Sequence, residues 1–138
     1  MLRAVVDTNV FISALLKNSS TRPVLTAFQR YEFELIASPE ILDEFIGVIN
    51  RSKFNGLIVK ETAQKIIEDI KSHATIVKPS QRLEIVTKDP DDNQFLEAAI
   101  EGKASCVVSG DHHLLSIKSF CNIPIITPKE FITWLKKR

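Results

Sequence analysis

The strongest constraint on the fold is a series of short apolar runs, each about one strand long, separated by stretches with helical periodicity. Leu2 to Val6 is nearly unbroken in apolar character and rich in β-branched residues, the pattern of a strand buried on both faces of a parallel sheet. Phe33 to Ala37, Ser105 to Ser109 and Ile123 to Ile126 repeat it, and Thr75-Ile76-Val77 reads as a brief edge strand. Helical patterns fill the intervals. Val10, Ile12, Ala14, Leu15 and Leu16 precede the polar loop Lys17 to Ser20, with Asn9 or Thr8 available as the cap. Val24, Leu25, Phe28 and Tyr31 follow Thr21-Arg22-Pro23, and Ile41, Leu42, Phe45, Ile46 and Ile49 follow Ser38-Pro39. Val59 to His73 carries Ala63, Ile66, Ile67 and Ile70 at helical spacing. A further helix runs through Phe95 to Ile100 and stops at Gly102, and a short one covers His112 to Ile117. Thr127-Pro128-Lys129-Glu130 has the spacing of a capping box for the terminal helix. This alternation predicts an α/β fold, a three-layer sandwich with a mostly parallel central sheet flanked by helices.

At 138 residues the chain is expected to be one domain, 1–138, with a core large enough to need no staples. Met1 to Val6 runs directly into Asp7 and lacks the long apolar core of a signal peptide, and no later run is long enough to span a bilayer, so a cytoplasmic protein without membrane contact is expected. Cys106 and Cys121 form no framework and read as plain thiols. A net charge of +1 neither demands nor excludes nucleic acid, so any basic patch has to be local.

The chemistry concentrates in Lys88-Asp89-Pro90-Asp91-Asp92-Asn93-Gln94-Phe95-Leu96, where three carboxylates occupy four positions before an apolar helix. Two carboxylates about 5 Å apart repel by roughly 3 kcal/mol at an effective dielectric of about 20. A helix N-terminus offsets part of that, and a bound cation offsets more. Asp89 or Asp91 can cap the helix with Pro90 in its first turn, but one aspartate suffices for capping.

Sites in open parallel sheets form outside the carboxyl ends of the strands. Asp7 directly follows Val6 and Asp111 lies just beyond Ser109, so both belong to that edge together with the cluster at Asp89 to Asp92. The helix after Ser38 adds Glu40, Asp43 and Glu44; periodicity sets Asp43 and Glu44 on opposite margins of its apolar stripe and does not choose between them. Carboxylates from four segments, with no Cys/His cluster and no glycine-rich phosphate loop, suit a hard cation such as Mg²⁺ or Mn²⁺. Such an ion can activate water against a phosphodiester without a protein nucleophile.

Val5-Val6-Asp7-Thr8-Asn9-Val10-Phe11 resembles the opening of a PIN-domain protein, the nuclease family that includes the toxin ribonucleases of prokaryotic toxin–antitoxin pairs. Ser38 to Phe45, with Arg51-Ser52-Lys53-Phe54 downstream, resembles the second motif and selects Glu44 as its acid. Asp89 to Ala99 resembles the third, with Asp92 in the acid position, and Val107 to Leu115 resembles the fourth, with Asp111 as its acid and Ser109 as the hydroxyl two residues earlier. Ser109 stands where threonine is frequent, and His112-His113 is an unusual pair. The resemblance covers essentially the whole chain. It implies Asp7, Glu44, Asp92 and Asp111 around one or two Mg²⁺ or Mn²⁺ ions, metal-dependent cleavage of RNA leaving a 3′-hydroxyl and a 5′-phosphate, a homodimer, and in toxin members a small antitoxin that blocks the cleft.

Asn9 and Ser109 are candidates to orient the acids or water, with an N-cap the competing role for Asn9. Arg51 and Lys53 are candidate phosphate contacts against ordinary exposed charge. His112 and His113 read first as turn and helix-start residues, and Lys136-Lys137-Arg138 as a solvated terminus. The competing function is a non-catalytic RNA-binding or regulatory module. Asp7-Thr8-Asn9 also resembles the aspartyl-phosphate motif of haloacid-dehalogenase-type phosphatases, but Asn9 replaces the second aspartate of that motif.

Overall fold

The computed structural model describes residues 1–86 and 90–137. Its strands are β1 (Arg3–Val6), β2 (Glu34–Ala37), β3 (Thr75–Ile76), β4 (Cys106–Val108), β5 (Ser119–Phe120) and β6 (Ile123–Ile126). The helices are α1 (Thr8–Ala14), α2 (Arg22–Gln29), α3 (Pro39–Ile49), α4 (Lys60–His73), α5 (Asn93–Glu101), α6 (His112–Leu115) and α7 (Pro128–Lys136), with 3₁₀ turns at Ser52–Phe54 and Pro90–Asp92. Asp89, one of the expected caps, and Arg138 lie outside the described residues.

The sheet order is β3-β2-β1-β4-β6-β5. Pairing is parallel from β3 through β6, and only β5 runs antiparallel. β1 sits in the middle, Val5 opposite Ile36 on β2 and Val107 on β4. Because β2 and β3 extend to one side of β1 while β4 and β6 extend to the other, the chain reverses its winding between β1 and β4. That is the switch point where a crevice opens beyond the strand ends.

Successive strand residues face opposite layers, as the two-residue period of a strand requires. Ala4, Val6, Leu35, Cys106 and Val108 join a core with α1, α2, α3, α4 and α7, in which Phe11, Phe28, Phe45 and Phe131 are buried. Val5, Ile36, Val107 and Ile125 face the second core, covered by α5, α6 and Val86. Each fully buried side chain of this size contributes about 1.5–3 kcal/mol of transfer free energy. Arg3, the charged member of the β1 run, is accommodated at its end by Glu34 at 3.0 Å and the Gly102 carbonyl at 2.6 Å.

Several local expectations are corrected. The cap of α1 is Asp7, whose carboxylate accepts the Asn9 backbone N–H, so neither Thr8 nor Asn9 caps that helix. α2 stops at Gln29, and Tyr31 turns left-handed with φ 58°. α6 is shorter than expected, ending at Leu115. α5 does stop at Gly102, but with φ −86° the glycine is not left-handed, and Lys103 takes that position with φ 53°. Strand β5 has no counterpart in the apolar pattern. It pairs with β6 through Cys121 and Asn122, both at positive φ (52° and 65°), the signature of a two-residue hairpin turn. The capping box forms as expected, Thr127 Oγ1 accepting the Glu130 N–H and Glu130 accepting the Thr127 N–H. Both cysteines are free; burial pushes the Cys106 thiol up to about 12, while Cys121 is exposed.

Candidate active site

Three acids from three parts of the chain meet beyond the β1 and β4 strand ends. Asp7 follows β1, Asp111 lies past β4, and Asp92 ends the 3₁₀ turn that leads into α5. One oxygen of each lies within 4.8 Å of the others. The strand ends are themselves tied, the Asp7 N–H donating to the Val108 carbonyl at 2.8 Å.

Asp7 and Asp92 are buried and Asp111 is half-buried. Asp7 uses both oxygens: Oδ1 accepts the Asn9 N–H at 3.1 Å and Oδ2 accepts the Ser109 hydroxyl at 2.7 Å. Ser109, wholly buried, accepts the Asp111 N–H at 2.9 Å, so one hydroxyl links the two acids. Asp111 caps α6 by accepting the His113 N–H at 2.8 Å. Asp92 occupies the cap position of α5 but makes no side-chain capping bond. Capping and membership of the acid cluster are therefore not alternatives, because a carboxylate has two oxygens and a cap can engage one of them.

The electrostatics follow from this crowding. Burial holds the Asp7 carboxyl above the ordinary carboxylate range; the hydrogen bonds from Ser109 and Asn9 oppose the shift, and the charges of Asp111 and Glu44 add to it. Asp111 is lowered, chiefly by a hydrogen bond from the Asp92 side chain, then by the His113 N–H and the nearby His113 and His112. At about 5 Å and an effective dielectric of about 20, each ionised pair costs roughly 3 kcal/mol, so three full charges need either a shared proton or a cation.

Glu44 lies outside this trio of oxygens. It is half-buried on α3, and its Oε2 accepts Gln94 Nε2 at 2.9 Å, whereas Asp43 is exposed. Asn9 is exposed and lines a depression of about 330 Å³ with Asp7, Ser13, Thr21 and Asp111. A second cleft of about 740 Å³ carries Glu40, Glu44, Glu84, Asp91 and Glu97 along with Arg82. Arg51 and Lys53 line neither, and the Lys53 ammonium lies over the Phe54 ring at 5.1 Å. His112 and His113 begin α6, their rings 5.2 Å apart.

The sequence pattern does not single out Asn93, Gln94, Glu97 or Arg82. The available signal was polar residues at positions 93, 97 and 101, one per turn of a largely buried helix.

Residues 3–113 match the sequence description of the PIN domain. The chain belongs to the PIN-domain family. PIN domains are generally nucleases and typically use divalent metals. MJ1680, an uncharacterized protein of Methanocaldococcus jannaschii, is 31% identical over 146 aligned residues, which cover 99% of this chain and 93% of the relative. Among solved structures, PAE2754 from Pyrobaculum aerophilum superposes with a TM-score of 0.65 at 12% identity, covering 100% of this chain and 91% of that one. VapBC2 from Rickettsia felis, bound to a DNA fragment from its promoter, gives a TM-score of 0.58 at 18% identity, covering 91% and 98%. At these identities the two structures speak to the fold, and it is the PIN fold with a mostly parallel central sheet. Among the described residues no helix is long and apolar enough to cross a membrane.

Proposed function

We propose that this PIN-domain protein is a Mg²⁺- or Mn²⁺-dependent endoribonuclease, one domain over 1–138, acting in the cytoplasm as the toxin of a toxin–antitoxin pair. The observation that carries the reading is the convergence of Asp7, Asp92 and Asp111, with oxygens within 4.8 Å, at the switch point of the sheet. Hard oxygen donors with no cysteine or histidine among them fit a hard divalent cation. The crowding of the three carboxylates supports the same fit, since a cation would neutralise the repulsion among them.

A bound divalent ion supplies Lewis acidity toward the phosphoryl oxygen and a more acidic water. The chain supplies the holding and orienting groups. Ser109 and the Asn9 N–H fix the plane of the Asp7 carboxylate, and the His113 N–H pins Asp111. Glu44, steadied by Gln94, is a fourth acid at the margin, as a ligand or as the acceptor of a proton from water. The 740 Å³ cleft, with five acids lining it and Arg82 as its basic group, repels phosphates. The depression beside Asn9, Ser13 and Thr21 is the less acidic approach for a strand whose cleavage leaves a 3′-hydroxyl and a 5′-phosphate. The shared fold with the Rickettsia felis pair supports an antitoxin partner, and a homodimer belongs to the same reading.

The test is cleavage of a mixed set of structured and unstructured RNAs with Mn²⁺, with Mg²⁺ and with chelator, running Asp92→Asn beside the wild type. Cleavage that requires the metal and is lost by at least 100-fold in the variant is expected, the scale of removing a group that stabilises the transition state electrostatically. Cleavage surviving chelation overturns the reading. RNA that is bound but uncut, with affinity indifferent to Asp92, favours the non-catalytic module.

A further inference from the structure

Residues 77–86 contain no regular secondary structure after the Val77 N–H bonds the Ala37 carbonyl, yet they are tied along one face of α5. Glu101 accepts the Ser80 N–H at 2.9 Å and the Ser80 hydroxyl at 3.1 Å. One turn earlier, the buried Glu97 accepts the Leu83 N–H at 2.7 Å and Arg82 at 3.2 Å. A further turn earlier, the buried Asn93 accepts the Ile85 and Val86 N–H groups at 3.0 and 2.8 Å. Its amide nitrogen donates to the Val86 carbonyl at 3.1 Å and to the Pro90 carbonyl at 3.0 Å. Positions 93, 97 and 101 are one helical turn apart and share a face. They take the segment up in reverse order, so the chain runs antiparallel to α5 and reaches the helix start at the turn that carries Asp92.

Side chains here do what a neighbouring strand would do for backbone N–H groups with no sheet partner. Asn93 uses its full amide capacity, two acceptor sites and two N–H groups. Its bond to the Pro90 carbonyl reaches the first residue of the Pro90–Asp92 turn, and so fixes the backbone that carries Asp92. Three consecutive residues then have three separate tasks: Asp92 enters the acid cluster, Asn93 clamps the incoming chain, and Gln94 holds Glu44.

We propose that Asn93 and Glu97, anchored at the far end by Glu101, are positioning residues that set the place of the Asp92 carboxylate relative to Asp7 and Asp111. The inference rests on the metal-site reading above. Groups that hydrogen-bond a metal ligand directly are worth about 10–100-fold in metal affinity, and residues acting through the backbone of the turn belong at the low end of that range.

The experiment measures Mn²⁺ binding by EPR on the full chain at a temperature where melting curves show every variant folded. The set is wild type, Asn93→Ala, Glu97→Ala, Glu97→Gln and Val24→Ala. Asn93→Ala and Glu97→Ala are expected to bind Mn²⁺ about tenfold or more weakly. Glu97→Gln keeps an oxygen for the Leu83 N–H and is expected to restore affinity to within about twofold of wild type, because a neutral hydrogen bond remains where the charged one stood. Val24→Ala opens the core on the opposite side of the sheet from α5 and controls for destabilisation alone, with wild-type affinity expected. Wild-type Mn²⁺ affinity in both alanine variants overturns the positioning role while leaving the metal site standing. Absence of Mn²⁺ binding by the wild type overturns the metal site and this inference together. If Asn93→Ala fails to fold, the Glu97 pair decides between the same outcomes.

Discussion

Asp7 ends β1, caps α1 and faces two other acids, and it does so with two oxygens that are both occupied. Burial raises its pKa, so the folded state holds the Asp7 proton more tightly than the unfolded chain does. For an acid shifted in this direction, stability falls as pH rises from the ordinary value of 3.8 through the raised one, and the penalty is complete above it. Asp7→Asn removes the charge but gives up the bond from Ser109, worth about 0.5–1.5 kcal/mol. Relief of a buried charge, to which the charges of Asp111 and Glu44 add, outweighs that loss at neutral pH. The variant is expected to melt higher than the metal-free wild type at pH 7, by on the order of 1 kcal/mol, with the gain vanishing as the pH is lowered toward 3.8. Melting curves in chelator across that range check it, and a gain that persists in acid excludes the buried charge as the cause. Asp7 and Asp111 were legible because a strand end displays an acid in the chain itself, and the cluster at Asp89 to Asp92 because it opens a helix, while the choice of Asp92 within it came from the resemblance to the PIN motif. Gln94 was not, since its partner Glu44 is 50 positions away and only folding brings them within 2.9 Å.

The same division between local and tertiary information holds for the elements. β1, β2, β4 and β6 were visible as apolar runs because both faces of the sheet are covered, and Thr127 with Glu130 announced α7 because a capping box is a local device. β5 was missed because its two residues, one exposed and one half-buried, carry no apolar pattern and owe their pairing to the left-handed turn at Cys121 and Asn122. Gly102 illustrates a residue whose position was legible and whose reason was not. With φ −86° it needs no glycine for its backbone, but a Cβ there would meet Ile36 Cγ2 at 2.6 Å and Cδ1 at 3.0 Å. The glycine lets α5 end against β2, the strand next to β1. Gly102→Ala is therefore expected to destabilise by about 1–3 kcal/mol through overpacking. Ile36→Val in the same chain removes Cδ1 but leaves Cγ2 and is expected to recover only part of the loss. Denaturant melts of the two single variants and the double variant measure the coupling. Simple additivity would show that Ile36 is not what Gly102 accommodates.

For the whole molecule, the acid cluster joins parts of the chain that are far apart in sequence: the end of β1, the start of α5 and the residues beyond β4. Their mutual repulsion opposes closure of the sheet at its centre, where β1 and β4 pair. A ligand that binds only the folded arrangement stabilises it by mass action, by about 2.7 kcal/mol at a concentration one hundred times its dissociation constant. For a chain of this length that corresponds to a rise in melting temperature of roughly 8 °C. The wild type is expected to show such a rise with Mn²⁺ and to lose it with chelator. Asp92→Asn starts from a melting temperature no lower than that of the metal-free wild type and shows little further rise. Monovalent salt at matched ionic strength separates specific binding from screening, since screening relieves exposed charges more than buried ones and Asp7 and Asp92 are buried. An equal rise in wild type and variant would mean that the ion acts elsewhere on the surface. A rise confined to the wild type would tie the stability of the central strand pair to the same three carboxylates proposed to hold the metal during cleavage.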